Sequence, residues 1–360
     1  MEIPFIYGKI VSDRDFTDRT QESSKLLANF LSQTNTAIIS PRRWGKSSLV
    51  NKVIKLASEA NSKLLFVRMN AFKCETPQEF YELFAKRTVE EISTSKLSIS
   101  GPAGQYELSL GVDWRDASVG EDVLNLPQLI AKKRKKKVIV CIDEFQQIGE
   151  FDQSSRFQKI LRNHWQEQTD VAYILYGSKK HMMLNIFGEY GKPFYRFCDM
   201  MFLPKIDNQD WQEYITRCFS ETGKAISPEL AGKLADIVDN HPYYVQQLAQ
   251  YTWLRTPRKC TEDIVQSAFQ SMLDSLNLQF VNLMDSLTEK QRSFLCAICD
   301  GVRNFSSVET LSRYRLGTSG NIRIMKNALI KRDLIEVSGS IVDIQDPVFK
   351  QWILKEYYSI

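Results

Sequence analysis

The sequence predicts an α/β fold in the first half of the chain and a mostly helical second half, on three observations. Short apolar runs alternate with helical patterns up to residue 206, as in a parallel sheet covered by helices. Residues 207–280 show helical patterns without strand signals. From residue 281, three helical segments precede two short strand-like runs, which is typical of a winged helix-turn-helix. We therefore predict three domains with these boundaries.

The apolar runs of the first domain predict the strands of its sheet. Residues 138–142 are almost entirely apolar, as expected of a central strand with both faces covered. Thr76 followed by Pro77 predicts a helix start, with Thr76 as the cap. The glycine-rich residues 98–114 interrupt the alternation and predict a hairpin insertion. The predicted strands are residues 36–40, 63–70, 138–142, 171–176 and 200–206.

Composition excludes some classes of protein. The chain has 360 residues, of which 43% are hydrophobic and 25% charged, which excludes a largely disordered protein. Its net charge of +4 is too small to indicate a polyanionic partner. Because the sequence has neither a signal-peptide pattern nor a long apolar stretch, we expect a cytoplasmic protein without membrane contact. The spacing of the 7 cysteines does not indicate a disulfide framework, and the close pair Cys296 and Cys299 is expected to be buried thiols rather than part of a zinc site.

The strongest motif follows the first predicted strand and reads Ser40-Pro-Arg-Arg-Trp-Gly-Lys-Ser-Ser48. A phosphate-binding loop has this position, because backbone N–H groups at a helix N-terminus bind anions. Lys46 would reach the β- and γ-phosphates, and the Ser47 hydroxyl would hold Mg²⁺. Ser40 replaces the first glycine of the usual pattern, which restricts the backbone but removes no phosphate ligand. The predicted nucleotide-binding residues here are Pro41, Arg42, Arg43, Trp44, Gly45, Lys46, Ser47 and Ser48.

A second motif ends the apolar run at residues 138–142 with Asp143 and Glu144. Asp143 is expected to hold Mg²⁺, directly or through water. Glu144 is expected to polarise the attacking water. An acidic pair at the end of a strand is common by itself, but its occurrence together with the loop indicates an ATPase site.

With both motifs the chain resembles the AAA+-like archaeal-type ATPases, which are related to the origin-recognition ATPases and to the STAND signalling NTPases. The resemblance covers nearly the whole chain and implies a P-loop AAA+-like sheet core, an all-α lid and a C-terminal winged helix. The Pro-Arg-Arg at residues 41–43 and the closing Asp346-Pro-x-Phe-x-x-Trp352 are more particular to this group than the two ATPase motifs. Other matching segments are residues 4–8, 16–19, 177–178, 193–196 and 241–244.

The resemblance also implies roles for residues outside the two motifs. Phe16 and Arg19 lie in the segment that packs beside the adenine in the family, although a simple capping role for this segment is the alternative. Ser178 matches the sensor position beside the γ-phosphate, where many AAA+ proteins have asparagine. Arg196 matches an arginine finger, with a surface arginine as the alternative. Pro242 belongs to the lid turn that touches the nucleotide in the family.

Two basic regions raise the question of a nucleic-acid partner. The last helix of the winged-helix pattern carries Arg323, Lys326 and Lys331, which could contact double-stranded DNA. Residues 285–360 nevertheless contain 11 basic and 9 acidic residues, a weak bias for a DNA-binding module. The block of Lys and Arg at residues 132–137 is either a solvated segment that precedes the next strand or a contact to the phosphate backbone of a nucleic acid or to another anion.

The sequence therefore predicts an ATP-binding, Mg²⁺-dependent ATPase that acts as a nucleotide-controlled switch. One reading is a DNA-associated ATPase. A second is a STAND-like signalling or defence switch whose winged helix binds protein, favoured by the lack of a lid arginine in residues 243–251. A third is a nucleotide-binding scaffold that hydrolyses ATP very slowly. Self-assembly is compatible with each of them.

Overall fold

The computed structural model describes residues 3–11, 16–92, 97–101, 104–108 and 120–357. It divides into two compact units, which are described separately. One unit is Ser12–Pro204, and the other combines Met1–Val11 with Lys205–Ile360. Within the described residues, no helix is both long and apolar enough to cross a membrane.

The first unit contains a 5-stranded sheet in the order β2-β5-β6-β1-β7, with every paired strand parallel. The predicted parallel sheet is therefore confirmed. The last strand ends at Phe202, whereas the sequence predicts that it continues to residue 206. The two strands outside this sheet, β3 and β4, form an antiparallel hairpin where the insertion is expected. Residues 102–103 and 109–114 of that prediction lie outside the described residues. The strands are β1 (Thr36–Ile39), β2 (Leu64–Asn70), β3 (Leu97–Gly101), β4 (Gly104–Leu108), β5 (Lys137–Asp143), β6 (Val171–Gly177) and β7 (Asp199–Phe202).

Helices cover both faces of this sheet, which explains why β5 and β6 are almost entirely apolar. Side chains alternate across β5, so Ile139 packs with the core beneath α1 and α2, whereas Val140 packs with the core on the opposite face. The Thr76 hydroxyl accepts a hydrogen bond from the backbone N–H of Glu79, as its predicted capping role requires. The helices of this unit are α1 (Thr20–Ser32), α2 (Lys46–Ala60), α3 (Pro77–Ile92), α4 (Leu126–Arg134), α5 (Ser154–Gln166) and α6 (Lys180–Phe187).

The second unit is mostly helical and has one continuous apolar core. It ends in the predicted winged helix, with α11 to α13 followed by the antiparallel hairpin β8–β9. The boundary predicted after residue 280 lies within α10, which continues to Asp285, and the three-domain division stays a prediction. The elements are α7 (Asn208–Glu221), α8 (Pro228–Ile237), α9 (Pro242–Arg255), α10 (Glu262–Asp285), α11 (Glu289–Cys299), α12 (Val308–Arg313), α13 (Ser319–Lys331), β8 (Ile335–Ser338), β9 (Ile341–Ile344) and α14 (Pro347–Lys355).

Polar contacts define the ends of several helices in this unit. Thr288 and Gln291 form a reciprocal capping box at the start of α11. The Asp346 carboxylate accepts hydrogen bonds from the first N–H groups of α14 and from the hydroxyl of Tyr244 on α9. All 7 cysteines are free thiols. Cys296 is buried as predicted, whereas Cys299, like Cys198, is only partly buried.

Candidate functional site

The loop between β1 and α2 has a strongly curved backbone. Arg43 has a φ of 64° and Gly45 a φ of 87°, both in the left-handed region. Glycine adopts this conformation without the steric cost of a Cβ, which explains Gly45 directly before the helix. Gly45 is the N-cap of α2 and provides no side-chain cap, so the first N–H groups of α2 are not capped by this residue. This geometry suits a loop that binds an anion through its backbone.

Lys46, the first residue of α2, is folded back over the loop. Its Nζ donates hydrogen bonds to the carbonyl oxygens of Ser40 at 3.0 Å and Pro41 at 2.8 Å. Only 6% of the residue is exposed. Burial lowers the pKa of Lys46 from 10.5 to about 8, although the nearby carboxylates of Glu144 and Asp143 oppose the shift. The loop thus contains a buried cation that an anionic ligand would stabilise.

Ser47 connects this loop to the end of β5. Its Oγ donates a hydrogen bond of 2.9 Å to Oδ2 of Asp143. The other carboxylate oxygen, Oδ1, accepts a hydrogen bond of 2.8 Å from the backbone N–H of Glu144. Burial raises the pKa of Asp143, while the hydrogen bond from Ser47 opposes that rise. A hydroxyl and a carboxylate, both of which are hard oxygen ligands for a metal ion, therefore lie next to each other.

Glu144 follows Asp143 in a left-handed conformation, with a φ of 51°. Its Oε2 accepts a hydrogen bond of 2.9 Å from the Ser178 hydroxyl. The same oxygen accepts a hydrogen bond from Nε2 of Gln146. The sequence analysis does not predict Gln146 as a site residue. Its only signal in the sequence is an amide two residues after Glu144, next to Phe145, which the structure shows to be buried.

The sheet order explains why these residues meet. Strand β6 lies between β1, which precedes the loop, and β5, which ends at Asp143. Parallel strands end at one edge of a sheet, and ligands commonly bind outside that edge. Lys46, Ser47, Asp143, Glu144 and Ser178 are therefore brought together at the carboxyl edge of three neighbouring strands.

The remaining loop residues surround this cluster. Arg42 and Arg43 are exposed, Pro41 and Trp44 are half-buried, and Ser48 is buried. The charge of Arg42 contributes slightly to the lowered pKa of Lys46.

Phe16 and Arg19 pack within the same unit but make other contacts. Nζ of Lys52 lies 4.0 Å from the centroid of the Phe16 ring. Arg19 is 3% exposed and donates a hydrogen bond of 2.6 Å to the carbonyl oxygen of Pro204. Neither residue has a described contact with the loop at residues 40–48, and their predicted role beside the adenine stays a prediction.

Arg196 and Pro242 are not brought into the cluster by any described contact. Arg196 is exposed, with a φ of 56°, and its guanidinium carbon lies 5.3 Å from the centroid of the Tyr195 ring. Pro242 begins α9 in the other unit, after Asn240 in the left-handed conformation, with a φ of 55°. Their predicted roles also stay predictions.

Several residues of the basic block at residues 132–137 make contacts within the protein. Arg134 donates to the carbonyl oxygen of Ile92 at 2.7 Å, and Lys137 pairs with Asp170 at 2.6 Å. Lys132 and Lys133 lie in the last turn of α4, where cations interact favourably with the helix dipole. These contacts favour the structural interpretation of the block.

Comparisons with known structures support this fold. A Walker-type ATPase of Pyrococcus abyssi matches with a TM-score of 0.71 and 16% identity, over 97% of this chain and 99% of that one. The ORC2 protein of Aeropyrum pernix, solved in ADPNP-ADP complexes, matches with a TM-score of 0.65 and 14% identity, over 99% and 98% of the two chains. The ORC1 protein of Aeropyrum pernix in complex with DNA matches with a TM-score of 0.52 and 13% identity, over 96% and 94%.

Sequence comparison identifies the family. No curated protein matches the chain. Residues 278–355 match a family described as "Probable winged helix domain", in agreement with the observed α11 to β9 arrangement. Residues 16–253, more than half of the chain, match a family described as an ATPase domain predominantly from Archaea. The chain therefore belongs to this family of predominantly archaeal ATPase domains and carries a C-terminal winged helix.

Proposed function

We propose that the chain binds and hydrolyses ATP with Mg²⁺, and that the bound nucleotide controls it as a switch. The observation that carries this proposal is the cluster of Lys46, Ser47, Asp143, Glu144 and Ser178 at one sheet edge, in which hydrogen bonds link Ser47 to Asp143 and Ser178 to Glu144. The family assignment supports the same function. The ORC2 protein, which shares the fold, was solved with ADPNP and ADP.

The loop would hold the phosphates. Its curved backbone precedes α2, whose first N–H groups and dipole favour an anion. On binding, Lys46 would exchange the carbonyl oxygens of Ser40 and Pro41 for phosphate oxygens. An ammonium group is bound more strongly by an ionised phosphate oxygen than by a neutral carbonyl oxygen, so this exchange favours the nucleotide complex.

Ser47 and Asp143 fit the requirements of Mg²⁺. This ion prefers oxygen ligands and usually retains several waters, so a protein needs only one or two ligands beside the phosphates. The Ser47 hydroxyl and the Asp143 carboxylate, 2.9 Å apart, are such a pair. When bound, Mg²⁺ supplies positive charge that neutralises the phosphate oxygens.

Glu144 would act as the base. It would accept a proton from the water that attacks the γ-phosphorus, while the bond to the β-phosphate oxygen breaks and ADP leaves with inorganic phosphate as the second product. Ser178 would help to orient that water and the Glu144 carboxylate. Phe16 and Arg19 would lie beside the adenine, and Pro242 would contact the nucleotide. Arg196 would act as an arginine finger within the chain or on a second copy.

Three variants test this proposal by ATP binding and phosphate release. Lys46→Ala is expected to lose ATP affinity, whereas Glu144→Gln keeps affinity but loses turnover by about 10²–10⁴-fold. Lys55→Ala, an exposed lysine on the same helix α2, is the matched control and is expected to behave like the wild type. Equal binding and turnover in Lys46→Ala and wild type would contradict the site. Turnover measured against protein concentration separates an arginine finger within the chain from one on a second copy.

DNA binding is a second candidate function, favoured by the outward surface of α13. Arg323, Asn327 and Lys331 are exposed on one side of this helix, whereas Lys326 is only partly exposed. Arginine and asparagine are the residues that read guanine and adenine in a major groove. The ORC1 protein, which shares the fold, was solved in complex with DNA.

The protein-binding alternative also has support on this helix, because Ile324 is 69% exposed between Arg323 and Asn327. An electrophoretic shift on duplex DNA at several salt concentrations, with and without ATP, separates the two functions. A shift that weakens as salt rises supports DNA binding. No shift at low salt would leave protein binding as the function of the winged helix.

A further inference from the structure

The side chain of Gln146 occupies an unusual environment. It lies in the first turn after β5, where the neighbouring Phe145 is fully buried against Trp165 and Phe194. Gln146 is only 2% exposed, although glutamine is mostly found at protein surfaces. Its Nε2 donates to Oε2 of Glu144, and its Oε1 has no hydrogen-bond partner among the residues that the structure describes. A buried polar atom without a partner destabilises the folded protein, so this residue is poorly explained by stability alone.

The orientation of this amide follows from its partner. A carboxylate oxygen accepts hydrogen bonds and donates none, so the NH₂ group of Gln146 must point toward Glu144. The opposite orientation would place two oxygen atoms against each other. The contact therefore requires the amide of Gln146 to donate to the carboxylate of Glu144.

Gly177, at the end of β6, provides the space for this amide. A Cβ at residue 177 would lie 1.9 Å from Oε1 of Gln146 and 2.8 Å from Sδ of Met183. Because the φ of Gly177 is not in the left-handed region, backbone conformation does not require glycine at this position. The absence of a side chain is explained by the close approach of Gln146.

Ser178 completes the arrangement from the residue after Gly177. Its Oγ donates to the same carboxylate oxygen, Oε2 of Glu144, at 2.9 Å. Two donors from different segments of the chain therefore hold one oxygen of Glu144. Among the described residues, no side chain donates to the other oxygen, Oε1.

We propose that Gln146 is a positioning residue that fixes Oε2 of Glu144, with Gly177 providing the space for its amide, and leaves Oε1 to accept the proton of the attacking water. This inference rests on the proposed function of Glu144. In this role Gln146 acts through its contact with Glu144. Rotation about the terminal bonds of Glu144 is restricted, which keeps the base in one geometry.

Single variants test this proposal through the separation of turnover from affinity. Gln146→Leu replaces the amide with an apolar side chain of similar volume and so removes the donor, and we expect kcat to fall about tenfold or more while the Kd for ATP changes less than about twofold. Gln158→Leu is the matched control, because Gln158 is also a buried amide but donates to Ser154 at 2.8 Å. Gln146→Asn, which keeps the donor on a shorter side chain, is expected to be less impaired than Gln146→Leu.

Two double-mutant cycles distinguish positioning from a general structural effect. In a Glu144→Gln background, Gln146→Leu is expected to cause no further loss in single-turnover hydrolysis, because the carboxylate through which Gln146 acts is absent. Gly177→Ala is expected to lower kcat, and to cause a much smaller further loss in a Gln146→Ala background, where only the contact with Sδ of Met183 remains. Independent, multiplicative losses in both cycles would overturn the proposal, and ATP binding checks that each variant is folded.

Failure of this inference is distinguishable from failure of the proposed function. If Glu144→Gln turns over ATP like the wild type, the function proposed for Glu144 is wrong. If Glu144→Gln is inactive but Gln146→Leu keeps the wild-type kcat, only the role proposed for Gln146 is wrong.

Discussion

The hydroxyl of Ser47 donates a hydrogen bond of 2.9 Å to Oδ2 of Asp143, although the two residues are separated by 96 positions in the chain. Ser47 is in the first turn of α2, and Asp143 is the last residue of β5. Strand β6 separates β1 from β5 in the sheet, so this contact spans the end of a strand. It joins the candidate phosphate loop to the candidate metal ligand.

Asp143→Asn is expected to weaken the contribution of Mg²⁺ to ATP binding. The amide has nearly the same volume but carries no charge, so it is a poor Mg²⁺ ligand. We expect the ATP affinity measured with Mg²⁺ to fall at least about tenfold, and the affinity measured with a chelator to change little. Asp152→Asn, at an exposed aspartate, is the control. An unchanged Mg²⁺ dependence in Asp143→Asn would contradict the assignment.

Lys46 is expected to make the stability of the protein depend on pH. Burial lowers its pKa in the folded protein from 10.5 to about 8. Between these values the unfolded chain holds a proton that the folded protein has lost, so the free energy of unfolding rises with pH. Over the whole interval the increase from this residue is about 3 kcal/mol.

Comparison with Lys46→Met isolates this contribution, because all other titrating groups are common to both proteins. Urea unfolding without nucleotide, at several pH values within the interval, should show the wild type gaining stability relative to Lys46→Met as the pH rises. Parallel stability curves for the two proteins would mean that the pKa of Lys46 is not lowered.

The sequence predicts those parts of the site that depend on local chemistry. Gly45, Lys46 and Ser47 follow a short apolar run, and Asp143 and Glu144 end another, so each motif identifies its own strand end. Parallel sheets bring such ends to one edge, which is why the proximity of the two motifs could be expected before the structure was known.

Contacts that depend on packing could not be predicted in this way. The burial of Gln146 follows from Phe145 being anchored in an aromatic cluster and from the missing side chain at Gly177, and neither is visible as a sequence pattern. The continuation of α10 through the predicted boundary after residue 280 has a similar origin. Phe280 near its end packs against Phe349 and Trp352 of α14, so the helix belongs to the same core as the winged helix.

Tyr244→Phe is expected to destabilise the second unit. The Tyr244 hydroxyl donates a hydrogen bond of 2.5 Å to Asp346, whose other carboxylate oxygen accepts from the N–H groups of Val348 and Phe349. Loss of a hydrogen bond to a charged, partly buried acceptor costs about 1–2 kcal/mol. Urea unfolding measures this loss, and Tyr357→Phe, which removes the same atom in the same unit, is the control.

Substitution of Asp346 is expected to destabilise the protein more than substitution of Tyr244, because Asp346 also caps α14. Asp346→Ala removes the cap and the acceptor together, and should cost about 1–2 kcal/mol beyond Tyr244→Phe. Asp346→Asn keeps a side-chain oxygen for the backbone N–H groups, so its loss of stability should lie between those of Tyr244→Phe and Asp346→Ala. If Asp346→Ala cost no more than Tyr244→Phe, the capping contribution would be negligible.

DNA binding by the winged helix predicts a specific change in salt dependence. Each phosphate contact of a lysine or arginine contributes about 0.9 to the slope of log affinity against log salt concentration. Arg323→Ala and Lys331→Ala, which remove exposed cations of α13, should each lower the slope by about one if they contact phosphates. A loss of affinity in Arg323→Ala that depends on the DNA sequence would instead indicate a base contact. The control is Lys233→Ala on α8, which removes a cation paired with Glu262 and gives the same change of charge outside the winged helix.

If both α13 variants kept the salt-dependence slope of the wild type, this helix would not carry the DNA contact.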